Sequence, residues 1–135
     1  ELISEMSSSQ IIKNAEAIIS IDARGFIFGS AISFYSSKPM LVARKPGKLP
    51  GLLTSKSYDL EYGKNSLSIQ TDSLKNFESF AIVDDLLATG GTISSINRIL
   101  ESENKKIIGL SVVVELYDLN GRKNFNFPVN SQITF

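Results

Sequence analysis

Phe80-Ala81-Ile82-Val83-Asp84-Asp85-Leu86-Leu87-Ala88-Thr89-Gly90-Gly91-Thr92 is the stretch from which the rest of this chain can be read. A short apolar run ends in two adjacent carboxylates, passes into small and hydroxyl residues, and is followed by Ile93, Ile96, Ile99 and Leu100 at helical spacing. The pattern predicts a strand, a tight loop, and a helix from Ile93 to about Glu103 with its apolar stripe on a sheet. Side chains alternate along a strand, so Asp84 and Asp85 point to different sides of its end. Such a pair can accept from the two donors of a vicinal diol, for example the 2- and 3-hydroxyls of a ribose. Gly90 and Gly91 remove the Cβ atoms that would keep a ligand off the backbone, while Thr89 and Thr92 add hydroxyl donors. The positive end of the helix dipole aims at the same spot, which favours an anion such as phosphate. No lysine follows the glycines, so this is not a nucleotide-triphosphate P-loop. Gly and Thr alone would equally suit any strand-to-helix turn, with the acids at a solvated strand end. Strand, both acids, loop and helix in one continuous run favour the ligand-binding reading.

A second unit repeats this logic. Ala17-Ile18-Ile19-Ser20-Ile21 reads as a buried parallel strand and runs into Asp22-Ala23-Arg24-Gly25. A helix follows in which Phe26, Ile27, Ala31 and Phe34 are expected to pack inward. Backbone amides at a helix start, with the fixed charge of Arg24, would suit a diphosphate; otherwise Arg24 pairs with Asp22 on the surface. Pro39-Met40-Leu41-Val42-Ala43 is the next strand, leading into Arg44-Lys45-Pro46-Gly47-Lys48-Leu49-Pro50-Gly51. Its cations, broken by Pro and Gly, form a stiff basic turn, which taken alone could be a solvated surface.

From Leu52 to Asn65 the chain is polar and weakly periodic, a connection long enough to be a lid, with Tyr58 and Tyr62 as aromatic covers. Ser66-Leu67-Ser68-Ile69-Gln70 alternates like a half-exposed strand, and a turn follows from Asp72 to Glu78. Lys105 to Leu116 is the most hydrophobic run and is expected to be a central strand. The tail from Gly121 to Phe135 reads as loop and a short edge strand. Strands alternating with helices, and ligand motifs at strand ends, define an α/β fold: an open, mostly parallel twisted sheet with helices on both faces.

The 135 residues suit a single domain, and 42% hydrophobic content suits a packed globule. Apolar runs are too short to span a bilayer, so no membrane role is expected. Fourteen basic and fourteen acidic residues cancel, leaving no global field for nucleic acid. Cys and His are both absent, which excludes a thiol nucleophile and leaves carboxylate, lysine, tyrosine or water for proton transfer near neutral pH. With no signal peptide or lipidation motif, the cytoplasm is the default. The chain starts at Glu1 in what reads as mid-helix, with Leu2, Ile3, Met6 and Ile11 in a weak amphipathic pattern interrupted by Ser7-Ser8-Ser9. Residues are expected to precede it.

The run V-D-D-L-L-A-T-G-G-T resembles the phosphoribosyl pyrophosphate signature of the type I phosphoribosyltransferases, most closely of the members that use adenine. Three further segments match in family order: Asp22-Ala23-Arg24-Gly25-Phe26, the basic turn from Arg44 to Gly51, and Glu61-Tyr62-Gly63. The likeness runs from about Ile18 to Pro128. It departs at Ala23, where serine is usual, which removes a hydroxyl and leaves backbone contacts intact. Nothing matches the N-terminal hood that folds over the purine in the family.

The resemblance implies transfer of ribose 5-phosphate from phosphoribosyl pyrophosphate to adenine, giving AMP and pyrophosphate. It places the ribose hydroxyls on Asp84 and Asp85, and the 5-phosphate on Ala88, Thr89, Gly90, Gly91 and Thr92. Pyrophosphate falls to Ala23, Arg24, Arg44 and Lys48, with magnesium carried on substrate oxygens rather than bound directly by protein. Residues 49–65 become a flexible lid in which Glu61 takes the purine proton and Tyr62 helps closure. The family also implies a homodimer. Two other readings stay open: the same chemistry on another purine, and a non-catalytic sensor of phosphoribosyl pyrophosphate.

Overall fold

A computed structural model describes residues 1–60 and 63–135, with side chains placed outside 55–66. In chain order the elements are α1 (Leu2–Ser8), α2 (Gln10–Asn14), β1 (Ala17–Ile21), α3 (Gly25–Ser36), β2 (Met40–Ala43), β3 (Leu53–Leu60), β4 (Gly63–Gln70), α4 (Thr71–Lys75), β5 (Ser79–Leu87), α5 (Gly91–Ser102), β6 (Lys106–Glu115) and β7 (Val129–Thr134). Two 3-10 turns, Tyr117–Leu119 and Gly121–Asn124, connect β6 to β7.

Five strands form one parallel sheet in the order β2-β1-β5-β6-β7, in the register Ile19↔Ile82, Ile82↔Leu110 and Leu110↔Val129. Parallel pairing puts the carboxyl ends of all five on one edge. β1 is buried along its whole length, as strands covered on both faces are. One face takes α5, whose Ile93, Ile96, Ile99 and Leu100 pack with Ile19, Ile82 and Leu110. The other takes Met6, Ile11, Ile12 and Ile32 from α1, α2 and α3 against Ile18, Ala81 and Val83. The predicted open parallel α/β sheet is therefore present. The serine run near the start is where α1 gives way to α2, with the Ser9 hydroxyl accepting from the Ile12 N–H as a helix cap.

Four sequence expectations change. The inward face of α3 is Gly25, Gly29 and Ile32, whereas Phe34 is 90% and Ile27 67% exposed, with Phe26 and Ala31 half-buried. The reason is close approach: a Cβ on Gly29 would lie 2.2 Å from Ser20 Oγ on β1, so only glycine lets the helix settle there. Residues 52 to 65 are not a plain connection, because β3 and β4 pair as an antiparallel hairpin from Leu53↔Gln70 to Leu60↔Gly63. Its base is built into the domain: Leu67, Ser68 and Ile69 are buried rather than half-exposed, and Arg44 bridges to Ser68. Thr54 Oγ1 reaches Glu103 Oε1 at 3.0 Å and Thr71 Oγ1 at 2.9 Å. Finally, the turn after Gln70 is the short helix α4.

Candidate active site

The carboxyl edge of the sheet carries a cavity of about 520 Å³, lined by the loops after β1 and β5 and by the start of α5. Ala23, Arg24, Asp84, Asp85 and the whole run Ala88 to Thr92 line it. Two sequence motifs sixty residues apart thus meet because β1 and β5 are hydrogen-bonded neighbours.

The two aspartates differ. Asp85 is bonded to Arg24, whose Nε lies 2.6 Å from Oδ2. Asp84 is half-buried, accepts from the Asp85 N–H at 2.9 Å, and lies so close to the backbone of Gly25 that a Cβ there would be 2.8 Å from Oδ1. Burial pushes its carboxyl up to about 7, with the neighbouring Asp85 carboxylate adding to the rise; the Asp85 N–H and Arg24 pull the other way. Gly90, at φ 89, is the N-cap of α5 and brings no side chain to cap the helix's first amides, and Gly91, Thr92 and Ile93 of the first turn line the cavity. Together these groups present acceptors for a diol beside donors for an anion.

The basic turn divides. Lys45 lines the cavity, while Arg44 and Lys48 do not. Arg44 is turned onto Asp22 at 3.2 Å and lies over the ring of Phe26, 5.6 Å from its centroid. Asp22 therefore pairs with Arg44 and not with Arg24. Glu61 and Tyr62 lie outside the described residues, as does the side chain of Tyr58. Lys45 was legible only as one of three cations, since nothing in a charge run says which member faces inward.

A phosphoribosyl transferase domain matches residues 1–130, and the chain belongs to that family. Within it the similarity is to adenine phosphoribosyltransferases: that of Prochlorococcus marinus strain MIT 9515 is 69% identical over 135 residues, all of this chain and 79% of the relative. Among solved structures, the adenine phosphoribosyltransferase of Thermoanaerobacter pseudethanolicus superposes with a TM-score of 0.87 at 34% identity, covering 98% of this chain and 80% of that one. The Saccharomyces cerevisiae enzyme, complexed with D-2,5-dideoxy-2,5-imino-altritol 1,6-bisphosphate and adenine, superposes with a TM-score of 0.81 at 29% identity, over 97% and 72% of the two chains.

Proposed function

We propose that this chain transfers ribose 5-phosphate from phosphoribosyl pyrophosphate to adenine, yielding AMP and pyrophosphate. The observation that carries the reading is the meeting, in one cavity, of the Asp84-Asp85 pair with the Ala88 to Thr92 loop at the start of α5. A ring nitrogen of adenine bonds to the anomeric carbon, the diphosphate leaves with the bonding electrons, and the purine gives up a proton. Positive charge grows on the sugar as the leaving group departs, as in other glycosyl transfers.

Asp84 and Asp85 accept from the ribose hydroxyls and balance that charge. Amides and hydroxyls of Ala88, Thr89, Gly90, Gly91 and Thr92 hold the 5-phosphate, where the helix dipole also acts. Arg24 and the Ala23 backbone take the diphosphate, helped by Lys45 on the cavity wall; Arg44, held on Asp22, and Lys48 lie off the cavity and would have to swing inward to join them. Glu61, by its place in the lid motif, takes the purine proton, and Tyr62 helps exclude water as the hairpin arm closes.

Magnesium fits this donor set as a passenger on the diphosphate. Asp22 and Asp85 are already paired with arginines, and among the described residues no group of three His, Cys, Asp or Glu could hold a metal ion. Bound that way, the ion neutralises charge on the leaving group. The functional unit is read as a homodimer: Ile27, Phe34 and Tyr35 are 67%, 90% and 59% exposed and form one stripe along the outer side of α3, an apolar face that a second copy would cover. Among the described residues no helix is long and apolar enough to cross a membrane. The reading puts the reaction in the cytoplasm.

The test is a coupled assay of phosphoribosyl pyrophosphate consumption with magnesium, offering adenine, hypoxanthine, guanine and xanthine separately. Turnover with adenine alone is expected. Preference for another base would move the substrate, and binding of phosphoribosyl pyrophosphate without turnover on any base would turn the reading to a sensor.

A further inference from the structure

The loop from Ala88 to Gly90 touches something besides the cavity. Behind it lies the second 3-10 turn, Gly121–Asn124, and the following Phe125, none of which lines the cavity. Three consecutive loop residues each meet this turn or the Phe125 that follows it. Ala88 has its carbonyl oxygen against Gly121, so close that a Cβ on Gly121 would lie 2.3 Å from it. Thr89 accepts a hydrogen bond on its carbonyl oxygen from Asn124 Nδ2 at 2.8 Å. Gly90, in its left-handed conformation, presents the side a Cβ would occupy to the ring of Phe125, 2.7 Å away. The turn is itself tied down: Arg122 donates through Nε at 2.7 Å, and through Nη2, to the two carboxylate oxygens of Glu115. Glu115, at the end of β6, is 1% exposed and also accepts from Ser131 Oγ of β7 at 2.9 Å. Arg122 holds its carboxyl below the usual glutamate range, so the clamp is ionic at neutral pH.

We infer that Asn124 and Arg122 are positioning residues for the 5-phosphate subsite, acting through the backbone of the Ala88 to Gly90 loop. The peptide plane gives the mechanism. In a trans peptide the carbonyl and the following N–H point opposite ways. Asn124 draws the Thr89 carbonyl to the rear of the loop, which turns the Gly90 N–H forward, toward the cavity. Gly121 and Phe125 close off the space the loop would need in order to relax backward. Arg122, gripping a rigid strand end, keeps the turn from receding with it. The donors that meet the phosphate are thereby oriented before it arrives, and preorganised donors bind more tightly than donors that must be ordered by the ligand.

This inference rests on the phosphoribosyl reading of the site, and the test separates the two. Titration calorimetry would measure ribose 5-phosphate and pyrophosphate separately on the unaltered protein, on Asn124→Ala and on Arg122→Lys. Asn124 is exposed, so its truncation leaves the core intact. The expected result is a loss of about fivefold in ribose 5-phosphate affinity for Asn124→Ala, the worth of one hydrogen bond, with pyrophosphate affinity unchanged. Arg122→Lys keeps the charge but not the paired geometry, and should weaken ribose 5-phosphate in the same selective way. In steady state the same variants should raise KM for phosphoribosyl pyrophosphate more than they lower kcat. Unaltered ribose 5-phosphate affinity in both variants overturns the inference alone. Equal losses for the two ligands, tracking a fall in Tm, would reduce the turn to a structural prop and overturn it as well. Failure of the unaltered protein to bind ribose 5-phosphate overturns the inference together with the reading beneath it.

Discussion

Asp84 joins a structural cost to a chemical use. Its carboxyl is raised from 3.8 to about 7, so the folded, ligand-free protein holds that proton more tightly than the unfolded chain does. The stability this provides is complete below pH 3.8 and is lost as pH rises through 7. Asp84→Asn mimics the protonated acid and should remove that pH dependence, making the variant more stable than the parent at pH 8 by roughly 2 kcal/mol, the shift being discounted for solvent screening at a half-buried group. Denaturant melts at pH 5 and pH 8 read this directly, and a slope that persists in the variant would assign the titration to another group. Activity should move oppositely. A diol needs acceptors, so kcat/KM should climb through pH 7 as Asp84 ionises, and Asp84→Asn should lose on the order of a hundredfold. Glu115 has the reverse sign: its lowered carboxyl stabilises the fold above the ordinary glutamate range and ceases to as pH falls below it. For Glu61, whose role rests on its motif, Glu61→Gln should cut kcat by about a hundredfold with phosphoribosyl pyrophosphate binding unchanged. Parallel loss of binding and turnover would argue for a lid contact instead of proton transfer.

At the scale of elements, the helix packed on β1 depends on one missing side chain. Gly29→Ala places a Cβ 2.2 Å from Ser20 Oγ and 2.6 Å from Ser20 Cβ, so α3 must lift from the sheet. The expected cost is about 1–3 kcal/mol in urea unfolding, with Ser20→Ala restoring only part because the Cβ contact remains. An unshifted midpoint would show that α3 moves freely on the sheet. This is also where reading by pattern failed. Strands announced themselves as continuous apolar runs, and Ile93, Ile96, Ile99 and Leu100 marked the buried side of α5 correctly, since large aliphatics at helical spacing point to a core. On α3 the apolar residues go most of the way round, and the side that packs is marked by glycines, whose signal is the absence of a side chain. The β3 and β4 hairpin was obscure for a related reason: much of its length is polar, and its pairing shows only when Leu53 is set against Gln70. The site was legible where one motif held its own strand end, as with Asp84 and Asp85. It was illegible where contacts join distant segments, as with Asn124 behind Thr89 or Arg44 on Asp22.

At the scale of the whole molecule, the outer stripe of α3 is an exposed apolar face. If the α3 stripe is a homodimer contact, Phe34→Asp should yield monomers in sedimentation velocity while leaving the fold intact by circular dichroism, since the ring is 90% exposed in a single copy. An unchanged sedimentation coefficient would assign assembly to another surface. The sheet order has a further effect, because it sets Arg24 from the β1 loop against Asp85 from the β5 loop across the mouth of the cavity. If the site takes phosphoribosyl pyrophosphate as proposed, substrate entry becomes an exchange of partners: ribose hydroxyls arriving at Asp85 would displace a guanidinium, and the released guanidinium would be free for the diphosphate on the adjoining anomeric carbon. Each half of the substrate relieves a competitor of the other half, so ribose 5-phosphate and pyrophosphate should strengthen one another's binding by equal factors, as thermodynamic linkage demands.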